Sequence, residues 1–193
     1  MPRKISSHLE LLGLLQSEYL ALKYEQTTRI SLRETALGVN FVAIAAVATI
    51  AFVKSPPNLT VVLFIPIISA CICWVYLNND IMVSRLRIFF KEEFLDRVAS
   101  IYQDSSKPLN RREIEAVLGS WEHFHRSKDS FRKLRRVFNF FFVSMGFFVS
   151  SLAAIVVTFE MILDSSILLR SIWILDVLLL SVITVALFLT RDW

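Results

Sequence analysis

The chain has 193 residues, is 55% hydrophobic with 16 Phe, and carries 21 basic against 17 acidic side chains, a net charge of +4. A soluble domain averages about 45–50% apolar, and the mean hydropathy here is +0.57, so an ordinary water-soluble fold is excluded. The length leaves no room for a large soluble domain beside the apolar segments, and with only four Gly there is no Gly-rich phosphate loop.

In chain order, residues 1–34 are polar and amphipathic. They lack the short apolar core and small-residue cleavage site of a signal peptide, so the first span is expected to act as an uncleaved insertion signal. Ser7 and Glu10 have capping-box spacing, which predicts a helix beginning at Ser7. Leu9, Leu12, Leu15, Tyr19 and Leu22 recur every three or four residues and form its apolar face. Thr27, Thr28 or Ser31 would permit a bend before the first apolar run.

Four apolar runs follow, 35–53, 59–77, 137–159 and 171–190. Each is about 19 to 23 residues long, enough for a helix to cross a hydrocarbon core of roughly 30 Å. Lys54, Ser55, Pro56, Pro57 and Asn58 make a tight turn, so 35–77 is predicted as one transmembrane hairpin. Pro66, inside the second run, is expected to kink it. An apolar stripe from Ile81 to Ile101 predicts that this helix continues into the cytoplasm to about Tyr102. Asn110 would cap a second cytoplasmic helix bearing Ile114, Val117, Leu118, Trp121, Phe124, Phe131 and Leu134. Residues 78–136 thus read as a cytoplasmic helical hairpin, with the N-terminal helix as a third member of its bundle. Residues 137–190 form a second transmembrane hairpin joined around 160–170, and 191–193 form a short tail. The predicted fold is all-α, with four transmembrane helices and cytoplasmic helical extensions. A faint repeat at an offset of about 105 residues places Leu12-Gly13 and Leu118-Gly119 alike.

Five Lys or Arg precede the first run, thirteen lie in 78–136, and one each falls in the two outer connections and the tail. The positive-inside bias predicts that both termini and the middle segment lie on the cytoplasmic side of the membrane. It also accounts for the net charge, so no nucleic-acid partner is expected. The basic juxtamembrane surface should attract anionic lipid head groups.

Asp176 is the sharpest functional candidate. It lies about five residues into the fourth run, where a carboxylate is costly unless it faces protein or water. A channel would place it on a wet path between subunits; a purely structural role would bond it to Arg170, Asn139 or a hydroxyl. Asn40 and Asn139, near the inner ends of their runs, are further polar candidates, either bonding across helices or sitting at the interface. Gly146, Ser150 and Ala154 repeat every four residues and allow close helix packing, within one chain or between copies; Ala43, Ala46, Thr49 and Ala51 offer a similar face. Asn78, Asn79 and Asp80 mark the inner mouth of the second run, as a cation site or as caps. Cys71 and Cys73 read as packing residues. Arg126, Lys128, Arg132, Lys133, Arg135 and Arg136 form a basic cluster suited to an anionic ligand or lipid. His8, His123 and His125 have no metal-ligand spacing, and no nucleophile motif is present. Neither an enzyme nor a cofactor is expected.

The run Trp74-Val75-Tyr76-Leu77-Asn78-Asn79-Asp80, leading into Arg85-Leu86-Arg87-Ile88-Phe89-Phe90-Lys91-Glu92-Glu93, resembles the exit of the hairpin in SLATT-type bacterial membrane effectors. The likeness covers about half the chain; the second hairpin is additional. The four-span layout is also similar to membrane components of anti-phage systems that dock a soluble cytoplasmic partner. These resemblances imply homo-oligomerisation and membrane perturbation or sensing in defence. The expected function is a channel-like effector, with a non-conducting anchor for a soluble partner as the alternative.

Overall fold

A computed structural model describes residues 2–53, 55–103, 138 and 141–189, and no strand occurs among them. Four helices are long and apolar enough to cross a membrane: Gly13–Phe52, Leu59–Ile101, Phe141–Leu163 and Ile167–Leu187. The chain is therefore an all-α protein with the four spans of a multi-pass membrane protein.

The first helix, α1, runs unbroken over Pro2–Phe52. The predicted cap Ser7 already lies inside this helix. The hydroxyl of Thr27 folds back onto the Lys23 carbonyl at 3.0 Å, and the helix continues through Thr28 and Ser31.

The turn after α1 closes with the Asn58 amide donating to the Ala51 carbonyl at 2.8 Å. A 3-10 turn, Leu59–Leu63, leads into α2, Phe64–Phe89. Pro66 therefore stands in the first turn of α2 rather than in mid-span. An N–H is not needed there, so the expected kink has no cause at this position. As predicted, the helical path continues well beyond the apolar run, but not as uniform α-helix. A π-helical turn, Phe90–Phe94, separates α2 from α3, Leu95–Gln103.

The chain divides into two compact units, Met1–Arg29 with Met82–Arg135, and Ile30–Ile81 with Arg136–Trp193. In the first, Phe94, Val98 and Ala99 form a core against Leu15, Tyr19, Phe89 and Phe90. The Tyr19 ring meets Phe90 edge-on at 5.6 Å and Phe94 at 5.7 Å. Lys23 places its ammonium 4.9 Å from the centre of the Phe90 ring, an arrangement favoured by the ring quadrupole. The N-terminal helix thus packs on the extension of the second span. The helix expected from Asn110 onward lies outside the described residues.

The second unit takes in residues from all four spans. Ala36, Cys73, Tyr76, Leu77, Val143, Phe147, Ile183 and Leu187 form one apolar cluster drawn from all four. Val47, Ala51, Val62, Ile65 and Ala154 form another. Cys73 is buried and Cys71 exposed, as helical positions two apart should be.

The last two helices are α4, Ser150–Leu163, and α5, Ile167–Leu189. Only three residues join them, not the segment 160–170 expected from sequence. The reason is Arg170: its guanidinium donates to the Leu163 carbonyl at 2.6 Å and the Ile162 carbonyl at 3.3 Å. A cation at a helix C-terminus also meets the negative end of the helix dipole.

At the other end of the first hairpin, Arg33 of α1 pairs with Asp80 of α2 at 2.6 Å. The guanidinium also lies 5.9 Å from the Tyr76 ring centre. Asp80 is thereby committed to an ion pair that ties α2 to α1, while the Asn79 amide donates within α2 to the Val75 carbonyl at 2.8 Å. Arg33→Ala and Asp80→Ala should each lower the thermal midpoint in detergent. A double-mutant cycle should give a coupling of about 0.5–1 kcal/mol. A coupling of zero would show that the pair does not hold the hairpin.

Candidate functional site

The interior of the four spans holds polar groups that hydrocarbon cannot solvate, and each must be satisfied by protein. Their placement begins with the third span, Phe141–Leu163. Its buried positions are Val143, Gly146, Phe147, Ser151, Ala154, Ile155, Thr158 and Ile162. Val143 and Ile162 are 162 − 143 = 19 residues apart. At about 100° per residue, an uninterrupted α-helix would carry these two about 100° out of line. A π-helical turn, Met145–Val149, absorbs the extra residue and brings Val143 and Ile162 back into line.

That turn is where α1 comes closest. A Cβ on Gly146 would lie 2.8 Å from the Leu37 Cδ1 and 3.2 Å from the Phe41 Cζ. Any side chain at this position would have to displace the ends of Leu37 and Phe41 on α1. The close approach brings the Asn40 amide within 2.7 Å of the Gly146 carbonyl, to which it donates. The Ser150 hydroxyl donates to the same carbonyl at 2.6 Å. A widened turn opens the α-helical hydrogen-bond ladder, and two side chains close on the carbonyl found there. Asn40 is 0% exposed, so of its two expected roles it takes the one across helices. Gly146 and Ala154 pack within the chain; Ser150 serves the same carbonyl as Asn40. On the first span, Ala51 is buried in the apolar cluster with Val47, whereas Ala46 and Thr49 are exposed.

Asp176 is deeper than the sequence indicated. α5 begins at Ile167, so Asp176 lies nine residues in, about 14 Å along the axis. It is 0% exposed. Leu180, Ile183 and Leu187 continue its buried face toward the inner end. Neither carboxylate oxygen has a hydrogen-bond partner among the described residues. Arg170 is engaged at the end of α4, and Asn139 lies outside the described residues. The carboxylate therefore points into the chain's own bundle. This placement differs from the path between subunits, and neither Arg170 nor a hydroxyl among the described residues bonds the carboxylate.

Ser69 of α2 was not singled out from sequence. It is fully buried, and its hydroxyl has no partner among the described residues. Its position one turn before Cys73 on the buried face of α2 was the available signal. The other buried hydroxyls are satisfied locally: Ser151 donates to Phe147 at 2.7 Å and Thr158 to Ala154 at 2.8 Å. Trp173 ties α5 to α4 through a 3.2 Å bond from its indole N–H to the Ile155 carbonyl. The basic cluster Arg126, Lys128, Arg132, Lys133, Arg135 and Arg136 lies outside the described residues.

Comparison with protein-family models, curated proteins and solved structures finds no match.

Gly146→Ala sets two effects against each other. Alanine gains up to about 1 kcal/mol of helix propensity, while displacing Leu37 and Phe41 costs about 1–3 kcal/mol. The net change should be a loss of about 1 kcal/mol in detergent unfolding. In a Leu37→Ala background Gly146→Ala should cost less than in the wild type, as read from a double-mutant cycle. An equal cost would mean that Leu37 does not set the limit.

Proposed function

We propose that the protein is a channel-like membrane effector in which a cation path runs inside the four-helix bundle past Asp176, not between subunits. The observation that carries this reading is the fully buried carboxylate at mid-helix, with both oxygens open to a donor or cation. An ionisable group at such depth marks an ion pathway more readily than a packing role, since packing is served better by an apolar side chain. Assembly of several copies belongs to the same proposal. Ala46 and Thr49, exposed on α1, are small enough for a close contact with a second copy. The setting in bacterial immunity, the inner-membrane location with cytoplasmic termini and contact with anionic lipids rest on the resemblance and on the distribution of Lys and Arg.

A second reading, a non-conducting anchor for a soluble cytoplasmic protein, draws on a different observation. Leu14, Leu20 and Tyr24 are exposed on α1 in the first unit, as a partner surface would require.

Purified protein in liposomes should pass monovalent cations. Asp176→Asn should reduce that flux by about tenfold or more, a barrier change of about 1.4 kcal/mol, with unchanged elution on gel filtration. Equal flux from wild type and variant would remove Asp176 from the path. No flux from folded wild type would favour the anchor.

A further inference from the structure

The π-helical turn in the third span has a feature beyond bringing Val143 and Ile162 into line. The geometry points to a rotary hinge at Met145–Val149, latched in its widened form by the hydrogen bond from Asn40 of α1 to the Gly146 carbonyl. Three observations meet there. The turn holds one residue more than an α-helix would, so relaxing it turns the two halves of the span by about 100° relative to each other. The Gly146 carbonyl accepts from Asn40 at 2.7 Å and from Ser150 at 2.6 Å. The backbone at Gly146 lies so close to α1 that a Cβ would meet Leu37 at 2.8 Å.

Relaxation to a regular α-helix advances each residue on the inner side by one position. Ser144 takes the place of Val143 in the apolar cluster, and Phe147 takes the place of Gly146 beneath α1. Where a methyl group already has to push aside the ends of Leu37 and Phe41, a whole phenyl ring cannot enter without moving α1 away. The rotation is therefore coupled to a separation of α1 from the third span. The widened turn goes with packed helices, and the regular helix goes with parted ones. Ser150 cannot be the latch, since it bonds within its own helix and moves with the turn; Asn40 alone reaches in from another helix. Its other amide atom, Oδ1, has no partner among the described residues, so the side chain is held through Nδ2. The hinge does not require the protein to conduct.

The test uses full-length protein in nanodiscs with Cys71 and Cys73 replaced by serine. Nitroxide labels are attached at Val42 and Phe141, which are 71% and 55% exposed and tolerate them. Pulsed electron–electron resonance then reads the distance between α1 and the inner half of the third span. With Asn40 present, one narrow distance is expected. Asn40→Leu removes the donor without leaving a polar group unpaired. It should move most of the distribution by several ångströms, since a 100° turn carries a helix surface on the order of 8 Å. Deleting Phe148 removes the extra residue, so the deletion should hold the short distance with or without Asn40. An unchanged distance in folded Asn40→Leu protein overturns the hinge. If Asn40→Leu protein aggregates but folds once Phe148 is also deleted, the latch is supported. If neither folds, the bond is structural cement and the hinge is wrong.

Discussion

A carbonyl in hydrocarbon has no water to turn to, and the Gly146 carbonyl sits where the helical ladder is opened. That constraint organises the membrane-embedded unit. The absence of a side chain at Gly146 lets α1 lie against the third span, and the closeness of α1 lets Asn40 reach the carbonyl. An unsatisfied polar group at such depth costs several kcal/mol, more than most packing contacts contribute. The polar bond and the close approach depend on each other: a larger residue at 146 would push away the donor that the widened turn requires.

Asn40 and Asp176 answer the same cost differently. Asn40 is neutral, and one of its two polar atoms is bonded across a helix contact. Asp176 can carry a charge, and neither oxygen is bonded among the described residues. A group tolerated for packing would be expected to look like Asn40. Asp176 and Ser69 look instead like positions kept open for something that enters the bundle. This contrast, more than the presence of a carboxylate in an apolar segment, supports the reading of an ion path.

Charge has another role where the helices leave the apolar core. Arg33 bridges α1 to α2 through Asp80 and the face of Tyr76. In the first unit, Lys23 covers Phe90 and Arg97 reaches Glu18 at 3.7 Å. Long cationic side chains can lay their stems over aromatic surface while the head group stays paired or wet. These basic residues thus fasten helices together, so their number alone says little about an anionic ligand.

The amino-acid sequence by itself determined the class, the number of spans, the first hairpin turn and the continuation of the second span beyond its apolar run. Each follows from local composition over a window about as long as a bilayer is thick, and hydropathy reports that directly. Boundaries were less legible. Ser7 lies inside α1 instead of capping it, and Arg170 shortens the loop between α4 and α5 by folding back onto carbonyls seven and eight residues earlier. Asp176, Asn40 and Gly146 stood out in the sequence as residue types, but their relations did not. Only the tertiary structure decided that Asn40 donates to Gly146, that Gly146 packs within the chain, and that Asp176 faces its own bundle. It also revealed the π-helical turn. From Val143 to Ile162, a spacing of four, four, three, four and four residues looks helical by eye, and its drift matters only once a neighbouring helix requires both ends to stay in line.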